Sequence, residues 1–158
     1  MKNKLSLVVS TFFGIGYFPK APGTAGSLVA FSIYLLLPEN LFLRQAIYTL
    51  PMLLLLSIIS VYFISKAEKI LGHDSGKIVL DEVLGYFFSV ILLPKKLIVI
   101  ILSIVLFRIF DIFKPEPVNA LQMLPKGWGV MADDIMAGIY ANISIRIIIY
   151  LKEILCGF

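Results

Sequence analysis

Residues 107–117 read FRIFDIFKPEP, and they close a long apolar run in which charged side chains reappear at helical spacing. Arg108, Asp111 and Lys114 are three residues apart, so they share one face of a helix. Pro115 then stops that helix. Charged groups at the end of an apolar helix are costly to keep, so the segment predicts a functional site. The alternative is an ion-pair ladder within the helix that reaches towards lipid headgroups.

The composition is that of a membrane protein. The chain has 158 residues, of which 59% are hydrophobic and 15% are charged, and its mean hydropathy is +0.97. Soluble domains are roughly 45–50% apolar and about 25% charged. We therefore predict a single all-α membrane-embedded domain over residues 1–158. The net charge of +4 is modest and indicates cytoplasmic loops and anionic lipid headgroups, so no nucleic acid partner is expected.

Apolar segments predict a bundle of about six helices, some of them short or half-inserted. A spanning helix needs about 20 residues, and two of the segments, residues 5–18 and 28–37, are shorter than that. The remaining predicted helices are residues 44–65, 78–93, 97–114 and 130–152. The segments between them are predicted as loops and turns: residues 19–27 (PKAPGTAGS), 38–43, 66–77, 94–96 and 115–129.

Counting membrane crossings predicts the topology. With residues 66–77 in the cytoplasm, that side also receives residues 19–27 and the polar ends of the later helices. The cytoplasmic cations are then Lys20, Lys66, Lys69, Lys77, Lys114 and Lys126, and those of the other side are Arg44, Lys95, Lys96 and Lys152. This bias follows the positive-inside rule. It predicts a multi-pass protein whose unusual polar groups all lie at the cytoplasmic face.

Five carboxylates are predicted to meet at that face: Asp81, Glu82, Asp111, Asp133 and Asp134. Clustered carboxylates repel one another unless a divalent cation lies between them. Oxygen ligands without a Cys or His pair favour Mg²⁺ or Mn²⁺ over Zn²⁺. A divalent cation beside Arg and Lys is typical of sites that hold a phosphate and stabilise its charge as it reacts.

Residues 22–27 (PGTAGS) precede the predicted helix 28–37 and are a candidate phosphate loop. Backbone N–H groups and the hydroxyls of Thr24 and Ser27 are the candidate donors at the start of that helix. The alternative is a turn and N-cap without a ligand. A phosphate site at the membrane interface implies a lipid phosphate as the substrate.

Four blocks of the sequence resemble the phosphatidylglycerophosphatase A family: PKAPGTAGSL, IVLDEVLGYF, FRIFDIFKPEPV and GWGVMADDIMAGIYAN. They span residues 19–142 in the order and spacing of the family. The resemblance implies a Mg²⁺-dependent enzyme of the bacterial cytoplasmic membrane that converts phosphatidylglycerophosphate to phosphatidylglycerol. It also implies an all-α fold of roughly six helices packed around a central one.

The resemblance implies roles for individual residues. All five acids become metal ligands, and the catalytic carboxylates are Glu82, Asp111 and Asp134. The phosphate partners are Lys20, Arg108 and Lys114, beside Thr24 and Ser27. Asn142, two helical turns from Asp134, is a supporting residue, and Gly138 between them leaves room for close helix approach.

The two members of each adjacent acidic pair are expected to have different roles. Neighbouring residues on a helix point about 100° apart, so one member of each pair is predicted to bind the metal and the other to support it. We favour Glu82 and Asp134 as the metal-binding members. For the reaction itself, we favour attack on phosphorus by a metal-bound water, in line with the leaving glycerol oxygen. The competing mechanism makes one Asp a nucleophile that forms an aspartyl-phosphate.

Other functions fit the sequence less well. The single His73 excludes lipid phosphatases that need two histidines, and residues 132–140 lack the D-x₂-D-G-x₂-A-R spacing of lipid alcohol phosphotransferases. The alternative from another class is a small membrane transporter or ion pathway that uses the intramembrane charges. Against it, the charges are predicted at one membrane face, and none lies near mid-membrane.

Overall fold

The structure is a computed structural model that describes residues 2–156, with side chains for residues 4–155. Over that range it contains eight α-helices, one short 3₁₀ helix (Ile15–Tyr17) and no strand. The helices are α1 (Lys2–Ser10), α2 (Pro22–Leu36), α3 (Glu39–Leu43), α4 (Ala46–Leu71), α5 (Leu80–Val90), α6 (Leu97–Phe113), α7 (Val118–Gln122) and α8 (Gly127–Cys156). The all-α prediction is confirmed.

The helix count exceeds the predicted six because two segments predicted as a turn and a loop contain five-residue helices. These are α3, within residues 38–43, and α7, within residues 115–129. A second correction concerns α2, which begins at Pro22 and not at residue 28, so PGTAGS is helical and not a loop. Proline suits this position because its fixed φ matches the first helical turn and its missing N–H needs no partner there.

Two helices of the described chain are long and apolar enough to cross a membrane, Ala46–Leu71 and Gly127–Leu155. They are candidate spans by length and composition. The predicted helix 78–93 is shorter in the structure, since the 11 residues of α5 extend only about 16 Å. Shorter helices therefore accompany the two candidate spans, and a membrane bundle stays a prediction.

Helix α5 is the central element of the fold. Every residue in it except Glu82 is buried, as expected for a helix that is apolar on all sides. It packs against α1, α2, α4, α6 and α8. The Tyr86 ring has edge contacts with Tyr34 of α2 and Phe107 of α6, at centroid distances of 6.3 and 6.4 Å. The first turn of this buried helix carries Asp81 and Glu82, so the packing of α5 fixes where these acids lie.

Glycines bring α5 and α8 into backbone contact. A Cβ atom at Gly85 would lie 2.8 Å from the carbonyl oxygen of Asp134, and one at Gly138 would lie 2.3 Å from that of Gly85. No side chain fits at either position without moving a helix. The expectation that Gly138 permits close approach is confirmed, and the crossing places the start of α5 beside the second turn of α8.

Candidate active site

Three carboxylates from α5 and α8 form the centre of the site. Asp81, Glu82 and Asp134 each offer an oxygen atom, and these atoms lie within 4.8 Å of one another. Asp81 and Asp134 are only 6% and 3% exposed. We call these residues the acidic trio. Three ionised carboxylates at this separation would repel one another strongly in a buried place, so they need a compensating cation to stay ionised together.

The acidic trio has unused binding capacity. Among the side chains of residues 4–155, none donates a hydrogen bond to Asp81 Oδ1, Glu82 Oε2 or Asp134 Oδ2, although all three oxygens are buried. Buried polar atoms are normally hydrogen-bonded, so each of these oxygens needs an explanation. Several anionic oxygens without donors suit a hard divalent cation such as Mg²⁺. The residues present therefore fit the predicted metal.

The first turn of α2 borders the acidic trio through Gly23. A Cβ atom there would lie 2.2 Å from Glu82 Oε1 and 3.2 Å from Arg108 Nη1. The carboxylate and the guanidinium thus both reach the backbone of α2, and a larger residue would displace them. Since the first turn of a helix leaves N–H groups without intrahelical partners, this end of α2 is suited to an anion.

Helix α6 contributes an ion pair to the same region. Arg108 Nη1 donates a hydrogen bond to Asp111 Oδ2 at 2.6 Å, while within the described side chains Arg108 Nε has no acceptor. This contact is the first half of the ion-pair ladder Arg108–Asp111–Lys114 that the sequence spacing allowed. Asp111 is therefore not a member of the acidic trio, and its carboxylate orients the guanidinium that borders Gly23 and Glu82.

Lys114 does not continue the ladder and instead crosses to α8. Its Nζ donates to Asp133 Oδ2 at 2.5 Å. Burial lowers the pKa of Lys114, but the hydrogen bond to Asp133 and the charge of that carboxylate outweigh burial and raise the pKa above its usual value. Lys114 is therefore a permanent cation at neutral pH, held at the edge of the site.

The two acidic pairs behave differently. Asp134 belongs to the acidic trio while Asp133 binds Lys114. The two neighbouring carboxylates therefore have different partners, as helix geometry predicts. Asp81 and Glu82, by contrast, both reach the same group. Glu82 has one methylene more than Asp81, so its longer side chain can turn back towards its neighbour's carboxylate.

The other predicted site residues have separate environments. Lys20 is exposed. Ser27 is fully buried and its hydroxyl donates to the Gly23 carbonyl within α2 at 3.0 Å. Thr24 lines a cavity beside α2. Thr24 and Ser27 lie three residues apart on this helix, but the Ser27 hydroxyl already donates to a backbone carbonyl of its own helix while Thr24 borders the cavity. Their roles in phosphate binding stay predictions.

Asn142 supports the far end of α5. Its Nδ2 donates to the carbonyl oxygens of Ser89 and Ile91 at 3.1 and 2.7 Å. Its Oδ1 accepts a hydrogen bond from Arg146 Nε at 2.8 Å. Asn142 thus anchors the helix whose other end carries Asp81 and Glu82, and it makes no contact with these acids.

Sequence reasoning missed Gly85 and Arg146, and it placed Gly23 in a phosphate loop without its close approach to Glu82 and Arg108. The two glycines had a signal, because a glycine inside a helical pattern often marks close approach of another group. Arg146 lies four residues after Asn142, on the same helix face, and its Nη2 donates to the Leu92 carbonyl at 3.1 Å. That spacing was the available signal for this contact.

The fold and the site define an all-helical protein in which buried carboxylates lie beside a guanidinium and an ammonium group, an arrangement suited to phosphate esters. The chain belongs to the phosphatidylglycerophosphatase A family, because the sequence model described as "Phosphatidylglycerophosphatase A" matches residues 8–149. It is therefore a phosphatase. This result also decides against the transporter considered from the sequence.

Individual relatives agree with the family. Phosphatidylglycerophosphatase A of Escherichia coli K12 is 37% identical over 130 residues, covering 80% of this chain and 73% of that protein. The Haemophilus influenzae protein of the same name is 36% identical over 141 residues, covering 87% and 85%. A Bacteroides thetaiotaomicron protein provisionally described as a phosphatidylinositol-3-phosphatase is 35% identical over 150 residues, covering 90% and 92%. No solved structure matches the chain significantly.

Proposed function

We propose that this chain hydrolyses phosphatidylglycerophosphate to phosphatidylglycerol and inorganic phosphate in a Mg²⁺-dependent reaction. The observation that carries the proposal is the acidic trio, whose buried oxygens have no donor among the described side chains. Family membership supports the lipid phosphate as substrate. The position of Arg108 beside Glu82, across Gly23, supports a phosphate at the same place.

Asp81, Glu82 and Asp134 would hold the cation. When bound, a divalent cation supplies Lewis-acid polarisation of phosphoryl oxygens and lowers the pKa of water. Asp111 and Asp133 remain with Arg108 and Lys114 in this arrangement, and they orient these cations and do not bind the metal. This assignment is narrower than the five ligands that the resemblance implied.

The side chains of the chain itself hold and orient the phosphate. Arg108 presents its guanidinium at the start of α2, and such a group binds phosphate oxygens with paired N–H donors. Lys114 supplies a second positive charge from the end of α6. Both cations are already positioned by carboxylates, so little reorganisation is needed when negative charge shifts during the reaction.

Hydrolysis breaks the bond between phosphorus and the glycerol oxygen. The oxygen of a water molecule joins phosphorus, and the glycerol oxygen receives a proton as it leaves. We favour this direct attack over an aspartyl-phosphate intermediate because Asp111 is occupied by Arg108. Incubation with beryllofluoride followed by mass spectrometry and a structure of the adduct tests the choice. An acyl-phosphate mimic bound covalently to an Asp would contradict direct attack.

The proposed location is the bacterial cytoplasmic membrane, with several crossings and the acids at the cytoplasmic face. Helix α4 supports the membrane part, because Ile47, Leu55 and Ile58 are 75%, 58% and 56% exposed along a helix of 26 residues. A soluble monomer rarely exposes a continuous apolar face of this kind. The start of α5 and the end of α6 bring the charged groups to one end of the bundle.

The test is phosphate release by the purified protein in detergent micelles. Phosphatidylglycerophosphate is compared with phosphatidic acid and with phosphatidylinositol 3-phosphate, the substrate named for the Bacteroides relative. We expect the highest kcat/KM for phosphatidylglycerophosphate. A clear preference for phosphatidylinositol 3-phosphate would replace the proposed substrate, and the absence of release from all three lipids would overturn the proposal.

A further inference from the structure

An apolar cavity of about 610 Å³ lies between residues 14–19 and the first two turns of α2. Its walls include Ile15, Phe18, Ala25 and Leu28. None of the five acids lines it. A cavity with such walls does not suit a phosphate, but it suits a hydrocarbon chain.

The cavity adjoins the residue of α2 that borders the acidic trio. A Cβ atom at Gly23 would lie 2.2 Å from Glu82 Oε1 and 3.2 Å from Arg108 Nη1, and the next residue, Thr24, lines the cavity. Consecutive Cα atoms are about 3.8 Å apart. A molecule with a phosphate at the acids and an apolar tail has a short path from one to the other, over the start of α2.

Exposed aromatic rings and basic side chains lie in or next to residues 13–20, most of which line one wall of the cavity. Phe13, Tyr17 and Phe18 are 79%, 55% and 58% exposed. Lys20 is exposed, and Lys77 Nζ lies 5.5 Å from the centre of the Tyr17 ring. Exposed aromatic rings with lysines are typical of the membrane–water interface. The positive charges complement an anionic lipid.

The segment that carries these rings packs against the residues preceding α5. A Cβ atom at Gly16 would lie 1.8 Å from the carbonyl oxygen of Lys77, so the turn that carries Tyr17 packs directly on the segment preceding Asp81. A Cβ atom at Gly26 would lie 3.0 Å from the side chain of Val79. The cavity and the acidic trio are therefore parts of one packed unit, which allows a lipid held in one to be aligned in the other.

We propose that this cavity binds one acyl chain of the lipid phosphate and thereby positions the phosphate at the acidic trio. The inference rests on the proposed function and adds the place where the lipid is held. Binding energy from the chain, remote from the reacting bond, aligns the phosphate and so raises kcat/KM for long-chain lipids. A short-chain or water-soluble phosphate ester gains nothing from the cavity.

The experiment compares kcat/KM for dioleoyl and dibutyryl phosphatidylglycerophosphate in the same detergent. Ala25→Trp fills the cavity, and Val29→Trp, one turn further along its wall, provides a second variant if the first does not fold. The matched control is Leu36→Trp, because Leu36 is 87% exposed at the other end of α2. We expect the cavity variants to lower kcat/KM about tenfold or more for the dioleoyl lipid and to leave the dibutyryl lipid within about twofold.

The outcomes separate this inference from the proposed function. If the wild-type protein hydrolyses both lipids but the cavity variants lower both equally, or lower neither, the acyl-chain site is wrong and the phosphatase activity stands. A decrease for Leu36→Trp as large as that for Ala25→Trp would also overturn the acyl-chain site. If the wild-type protein hydrolyses neither lipid, the proposed function fails and this inference fails with it.

Discussion

Asp133 and Asp134 are neighbours in the sequence, yet they have different partners. Asp134 faces Asp81 and Glu82, while Asp133 holds Lys114. The direction of the side chain along α8 decides the partner, because consecutive residues point about 100° apart. In the proposed function, one helix thereby supplies both a ligand for the metal and a support for Lys114.

This difference predicts unequal effects of the same substitution. Asp134→Asn removes a charge from the acidic trio, and we expect kcat to fall about 100-fold or more. Asp133→Asn weakens only the hold on Lys114, so we expect a decrease of roughly tenfold. Steady-state phosphate release from detergent micelles measures both values. Equal activities, or a larger loss for Asp133→Asn, would contradict the division of roles.

Asp111 tests the importance of orienting Arg108. Asp111→Asn keeps the size of the side chain but removes the charge that holds the guanidinium at 2.6 Å. We expect turnover to be abolished, or reduced by about 100-fold or more, in a protein that is still extracted in folded form. Glu116→Gln is the matched control, because Glu116 is exposed and bonds Asn119 just beyond α6. Full activity of Asp111→Asn would remove Asp111 from the site.

At the scale of elements, the site depends on the crossing of α5 and α8. Gly85 allows the Asp134 carbonyl and the Phe107 ring to approach within a distance that no Cβ atom tolerates. Helices that meet through small residues have closely spaced backbones. The distance between Asp81 and Asp134 is therefore set by a glycine that has no chemical role.

Gly85→Ala is predicted to separate the two helices. The added Cβ would lie 2.8 Å from a backbone oxygen, and we expect the free energy of unfolding to fall by about 1–3 kcal/mol. A misplacement of the acids by about 1 Å can lower turnover roughly 100-fold. In the control Gly76→Ala, the new Cβ meets only Pro22 Cγ at 3.9 Å. Thermal unfolding and phosphate release are measured on both variants, and equal behaviour would show that the crossing tolerates a methyl group.

Some elements were predictable from the sequence and others were not. Helix α6 (Leu97–Phe113) agrees with the predicted segment 97–114, since an uninterrupted apolar run ends there at a proline. The start of α2 was misplaced, because glycine and proline are typical of both loops and first helical turns.

For the site, the predicted order of membrane crossings placed the acids at one end of the helix bundle. Which partners each carboxylate contacts depends on glycine contacts between helices, and a single sequence does not specify these contacts.

At the scale of the whole molecule, the charged groups and the apolar surfaces are separated. The acids and their cations occupy one end of the bundle, while the exposed apolar face of α4 runs along its length. This arrangement is typical of a protein whose site faces water beside a lipid headgroup layer. The proposed orientation in the membrane rests on the distribution of lysines.

Cysteine labelling tests that orientation. In a Cys156→Ser background, the sequence has no other cysteine, so Lys69→Cys at the end of α4 and Asn40→Cys in α3 each introduce one exposed thiol. We expect a membrane-impermeant maleimide to label Asn40→Cys in spheroplasts and Lys69→Cys only after lysis. The reverse pattern would place the acids on the outer side.

The most direct test of the central claim is the Mg²⁺ dependence of phosphate release from phosphatidylglycerophosphate by the wild-type protein and by Glu82→Gln. The acidic trio as a Mg²⁺ site predicts that EDTA lowers the wild-type rate by about 100-fold or more and that added Mg²⁺ restores it. Glu82→Gln is predicted to need at least about tenfold more Mg²⁺ for half-maximal rate. Turnover that is unaffected by EDTA, or the same half-saturating Mg²⁺ concentration in both proteins, would contradict the claim.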